Sequence, residues 1–181
     1  MKRSIRYILF AICFLAASTS WAATLTVSSL SDSGPGSLRD TIAAASPGDV
    51  IVFAVTGMIT LDSEALVVDK DLTINGPGAG NLTINFTGSG PVCPRYMCIF
   101  SSVVITDITF GAQGGLSADD GGSLTIDHCL VPSGMTIYKL GAGLLTIENS
   151  TVEGGGIESH GGGSLVISNS MIKQEGVRIS D

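Results

Sequence analysis

A right-handed parallel β-helix, a solenoid of coils about twenty residues long, is the fold this sequence predicts. Three observations carry it. Segments 123–129, 144–150 and 164–170 align without gaps, and their isoleucines Ile126, Ile147 and Ile167 fall 21 and then 20 residues apart. Within each copy, pairs such as Leu124 and Ile126 or Leu165 and Ile167 alternate with polar residues, the period of a strand with one buried face. A glycine-rich turn precedes each copy, as in Gly121-Gly122, Gly141-Ala142-Gly143 and Gly161-Gly162-Gly163. One such strand cannot bury its face alone. Coils stacked in register at about 4.8 Å build a continuous core from like residues.

An earlier copy, 103–108, extends the register by placing Ile105 another 21 residues before Ile126. The alignment then defines columns. Ile105, Ile126, Ile147 and Ile167 form an inward aliphatic stack, and Asp107, His128, Asn149 and Asn169 occupy the corner two places on. Side chains at that corner are expected to bond to one another and to the turn backbone, satisfying groups the bend leaves unpaired. His128, one of two histidines, is therefore a structural residue. Cys129 shares its position with Ile108, Ser150 and Ser170, which predicts a small, buried, inert thiol. His160 precedes the glycine run and is expected to be exposed in a turn.

Nearer the N-terminus, Val50–Phe53, Met58–Leu61, Ala65–Val68 and Leu72–Ile74 are β-rich and punctuated by Gly or Asp. Leu82-Thr83-Ile84 repeats Leu72-Thr73-Ile74 ten residues on, as successive faces of one coil would. A short helix is predicted ahead of them. Gly34-Pro35-Gly36 leads into it, Ser37 and Asp40 approximate a capping box, Leu38, Ile42 and Ala45 share a face, and Pro47-Gly48 ends it. With the strand Thr24–Val27, this helix is the expected cap of the solenoid. No counterpart follows the last coil, so that end is expected to pack on a further domain or chain, or the coils are incomplete there. The organisation is thus a leader at 1–22, a cap at 23–48 and the β-helix at 49–181.

The leader is read from Lys2, Arg3 and Arg6 ahead of an apolar run from Tyr7 to Ala17, then small residues around Ala22 and Ala23. The run is shorter than the ~20 residues of a spanning helix, so it is a secretory signal, and no later segment qualifies as transmembrane. The chain carries a net charge of −7, and the leader removes three basic and no acidic residues. An exported protein this acidic is a poor binder of nucleic acid or anionic membrane. Composition agrees with frequent turns: 24 glycines in 181 residues and 14% charged residues, against about 25% in ordinary globular chains.

Three cysteines survive removal of the leader. Cys93 and Cys98 flank a short polar excursion and are expected to form a disulfide; their spacing matches no zinc pattern, and no metal site or cofactor is expected. Asn81, Asn85 and Asn149 open N-x-S/T sequons, which matter only in a glycosylating host.

Segments 32–42, 48–53 and 69–78 resemble the N-terminal end of secreted bacterial right-handed β-helix repeat proteins, polymorphic outer-membrane and adhesin-like, which share a fold with pectate lyases. The resemblance implies the fold and its cap, and its members are functionally broad.

For function, the residues themselves offer little chemistry. A polysaccharide lyase needs clustered carboxylates and a basic residue placed to take a sugar proton. Asp119-Asp120 is the one adjacent acidic pair, in a glycine-rich stretch, and Arg39, Arg95 and Arg178 lie elsewhere in sequence. Glu148, Glu153 and Glu158 could supply the two carboxyl groups of a glycosidase, though repeats create such proximity by chance. No catalytic residue is therefore assigned. The sequence reading favours a non-catalytic cell-surface or secreted module for adhesion, glycan contact or structure, its partner a polysaccharide or another surface protein. Its alternative is a polysaccharide lyase or glycoside hydrolase acting on acidic polysaccharide. An ice-binding face is disfavoured, since Thr125 and Thr146 stack but Val166 breaks the rank.

Overall fold

In the computed structural model of the chain, residues 21–88, 96–173 and 177–180 are described. The expected leader falls mostly outside them, as do Cys93 and Arg95. The chain opens with β1 (Thr24–Val27) and helix α1 (Leu38–Ala44), then makes six coils of three strands each. These are β2 (Val50–Phe53), β3 (Gly57–Leu61) and β4 (Leu66–Val68); β5 (Leu72–Asn75), β6 (Leu82–Phe86) and β7 (Tyr96–Ile99); β8 (Ser102–Thr106), β9 (Thr109–Phe110) and β10 (Gly114–Ala118). The last three coils are β11 (Ser123–Asp127), β12 (Leu130–Val131) and β13 (Met135–Leu140); β14 (Leu144–Glu148), β15 (Thr151–Val152) and β16 (Ile157–His160); β17 (Ser164–Ser168), β18 (Met171–Ile172) and β19 (Val177–Ser180). Every coil gives one strand to each of three parallel sheets. Sheet A runs β1-β2-β5-β8-β11-β14-β17, sheet B β3-β6-β9-β12-β15-β18, and sheet C β4-β7-β10-β13-β16-β19.

The predicted aliphatic stack is present in register, with Ile105 opposite Ile126, Ile126 opposite Ile147, and Ile147 opposite Ile167. Ile74 and Ile51 extend it toward the N-terminus. The first three isoleucines of the stack are sealed in the core, but Ile167 in the sixth coil is 37% exposed, with no described strand beyond it. Leu72–Asn75 and Leu82–Phe86 do belong to successive faces, β5 in sheet A and β6 in sheet B. β1 pairs in parallel with β2, so it is both part of the cap and the first rung of sheet A.

At the corner between sheets A and B, the residues of the predicted column share one backbone conformation. Asp107, His128, Asn149 and Asn169 have φ of 57°, 51°, 49° and 46°. Left-handed backbone is costly for side chains with a Cβ, and Asn, Asp and His are the non-glycine residues that tolerate it best. At this corner, Asp127 Oδ1 accepts from Asn149 Nδ2 at 2.8 Å and lies 2.8 Å from His128 Nδ1. One residue further on, hydroxyls do the stitching: Ser150 Oγ accepts from the Cys129 amide and Ser170 Oγ from the Ser150 amide, at 3.0 and 3.1 Å. Cys129 is buried as expected, and burial pushes its thiol up to about 12.

α1 covers the start of the solenoid with Leu38, Ile42 and the adjoining Ala45 in the core. Ser37 Oγ accepts from the Asp40 amide at 3.2 Å, while the Asp40 carboxylate takes the Gly34 amide, so the capping box is completed one turn earlier than the expected reciprocal bond. Lys70 Nζ donates to the carbonyls of Ile42, Ala43 and Ala45, closing the C-terminal end of the helix. Arg39 spans to the first coil, donating to Asp32 and to the carbonyls of Glu64 and Ala65.

Candidate functional site

Among the described residues, sheet C gathers several chemically capable side chains. Along its strands, side chains alternate between core and surface, and parallel register stacks the outward ones. Ser117 pairs with Tyr138, Tyr138 with Glu158, and Glu158 with Arg178, giving a column across four coils. Two residues along, Leu140 pairs with His160. Glu158 joins the two lines: its carboxylate oxygens lie 3.7 Å from His160 Nε2 and 3.7 Å from an Arg178 guanidinium nitrogen. Tyr138, between Ser117 and Glu158 in the column, is half-buried, and the Arg178 side chain is 70% exposed. His160 therefore ends strand β16 beside a carboxylate and is partly covered, where an exposed turn position was expected.

Beside this face, the turns from sheet C to sheet A enclose a shallow recess of about 370 Å³ lined by Phe100, Asp119, Asp120, Leu140 and Gly141. Asp119 accepts from Ser117 Oγ at 2.6 Å, and Asp120 has φ of 48° in the turn. Among the described residues, the recess lining includes both aspartates and no arginine. Arg39 is engaged in the cap with Asp32 at 2.7 Å. Among the described residues, no three His, Cys, Asp or Glu side chains gather in a way that could hold a metal ion.

Beneath the same turns lies Lys139, a charged side chain at a core position. It is fully buried, with Ala118 and Ser159 as its register partners. Its ammonium donates to the carbonyl of Gly141 at 2.6 Å and to that of Gly162, linking two stacked turns. Such bonds offset the cost of taking a charge out of water.

The other residues singled out from sequence are dispersed. His128 sits at the opposite corner with Asp127, where burial works to raise the Asp127 pKa but bonds from Asn149 and His128 hold it below the usual range. Glu153 lies 3.0 Å from Lys173 one coil on, and neither it nor Glu148 shares the sheet C face with Glu158. Cys98 is buried on β7, and its expected partner Cys93 lies outside the described residues. The signal that would reveal the sheet C face is the 20-residue spacing of Tyr138, Glu158 and Arg178, which becomes readable once Ile137 and Ile157 are seen as one column.

No family model matches the chain, and no solved structure matches it significantly. Curated proteins do. It is 33% identical over 156 residues to a "Probable pectate lyase C" of Aspergillus flavus, an alignment covering 77% of this chain and 34% of that protein. Proteins of the same name from Aspergillus terreus and Neosartorya fischeri are 32% and 34% identical, again over 77% of this chain and 34% of theirs. The chain spans about a third of the length of these relatives. Likeness and architecture agree on a parallel β-helix of the pectate-lyase-like kind. The adhesin-like half of the resemblance finds no counterpart among these fungal relatives.

Proposed function

We propose that the chain is an exported β-helix of the polysaccharide-lyase type acting on acidic polysaccharide, with the outward face of sheet C as its contact surface. The identity of about one third to the fungal proteins named pectate lyase carries this reading. Lyase cleavage is a β-elimination: a base takes the proton on the carbon bearing the uronate carboxylate, the neighbouring glycosidic C–O bond breaks, and a double bond remains. Arg178, planar and exposed, is suited to hold a uronate carboxylate by paired hydrogen bonds. Glu158 orients Arg178 and His160, His160 is placed to accept the proton, and Tyr138 offers a ring against a sugar face. The described residues form no carboxylate cage of the kind calcium takes.

The test is polygalacturonate incubated with the purified chain, with and without calcium, read by the absorbance of the unsaturated uronate product. Product formation that falls at least tenfold in Arg178→Gln supports the reading. No product in either condition overturns it.

A second reading is a non-catalytic module that contacts glycan or a surface protein, or serves as a structural spacer. The observation favouring it is that Arg178, the exposed arginine of the sheet C face, is already paired with Glu158. Retention on a polygalacturonate column without turnover would support this reading.

A further inference from the structure

Lys139 stands in an inward column of sheet C that Val68 and Ile99 fill in the first two coils. Its neighbours in that column, Ala118 and Ser159, are small and buried, which leaves room for the long stem. Both acceptors of its ammonium are neutral carbonyls, that of Gly141 just after β13 and that of Gly162 just after β16. Gly162 is exposed and Gly141 partly so, and their carbonyls can be served by water. A charge buried on neutral acceptors adds little net stability, and an aliphatic side chain of similar length fills such a site as well or better.

The strand pairing around Lys139 is otherwise loosely specified. A slip of one residue turns the core face outward, but a slip of two keeps the same residues inside. β10 has a single leucine to mark its place. β16 lies between Gly154-Gly155-Gly156 and Gly161-Gly162-Gly163, and β13 between Gly134 and Gly141, all with positive φ, so the connections on both sides have the freedom to take up a shift. We propose that Lys139 is the register pin of sheet C. Its ammonium holds the turn after β13 and the turn after β16 at once, which one alignment alone permits. A two-residue slip of β16 carries the Gly162 carbonyl about 6.6 Å along the strand, out of reach, and strips a buried charge of one of its partners. The outward column follows the same pairing, so Lys139 also sets Tyr138 beside Glu158.

Nuclear magnetic resonance and urea titration of the purified chain and of Lys139→Met test this. The wild type is expected to show one set of sheet C resonances, with backbone contacts between Tyr138 and Glu158. Lys139→Met is expected to keep or raise the urea midpoint and to show a second set, on the order of a tenth of the intensity, with backbone contacts from Tyr138 to Gly156 or His160. Lys139→Gln, neutral and shorter, is expected to show the second set too, and takes the place of Lys139→Met should that variant fail to fold. A single register in the folded variant overturns the proposal. Loss of folding in both variants overturns it as well, since the lysine then stabilises the fold instead of choosing its register.

Discussion

Asn149 separates two roles that a polar corner residue can combine. Its backbone is left-handed at φ 49°, and its side chain donates to Asp127 at 2.8 Å. Alanine loses on both counts and is expected to cost about 1–2 kcal/mol. Glycine accepts the backbone freely, so Asn149→Gly should recover most of that loss in a urea titration; a glycine variant as weak as alanine would assign the effect to the side-chain bond. Next to it, Cys129 fills a slot that Ser150 and Ser170 fill in later coils, and each of the three side chains donates to a carbonyl two residues back. Cys129→Ser is therefore expected to change stability by less than about 1.5 kcal/mol. Because burial raises the thiol to about 12, alkylation of Cys129 at neutral pH should wait for unfolding, and prompt labelling of the native protein would contradict its burial.

At the scale of elements, the cap is held by charges that respond to acid. Burial opposes ionisation of Asp32, but bonds from Ser63 and Arg39 outweigh it and lower its pKa from 3.8 to about 2. The unfolded chain therefore binds its proton first as pH falls. The stabilisation, roughly 2 kcal/mol, is complete above about pH 4 and is lost as pH drops toward 2. The urea midpoint should fall across that window, and Asp32→Asn should flatten the fall. Lys70→Met, which frees three carbonyls at the end of α1, should cost on the order of 1 kcal/mol by the same measurement. α1 itself was legible because its capping residues, apolar face and Pro-Gly stop are all local in sequence. Sheet A was legible because Leu-x-Ile recurs at one spacing. Sheet C carries no such signature: Gly114–Ala118 is built of small residues around one leucine, and Met135–Leu140 buries a lysine where the pattern calls for an aliphatic side chain. The face that carries Tyr138, Glu158, His160 and Arg178 could not be assembled without that sheet's register.

For the whole molecule, close stacking of coils sets the tolerance for change. A Cβ on Gly143 would overlap the Gly122 carbonyl one coil below, and backbone at such a point cannot move without its sheet. Gly143→Ala is expected to lower the melting temperature by several degrees, the size of a 1–3 kcal/mol overpacking strain. Because each coil touches only its neighbours, stability is shared along a line instead of through one centre. Among the described residues, α1 covers one end of the stack while β17 and β18 are each paired on one side only, which gives that line a direction. In this chain, amide exchange should be faster in β17 and β18 than in the middle coils, and limited proteolysis should remove that last coil before the others. What remains after such a cut would still be a folded, shorter solenoid, so the chain is expected to shed its turns one at a time, like thread drawn from a spool.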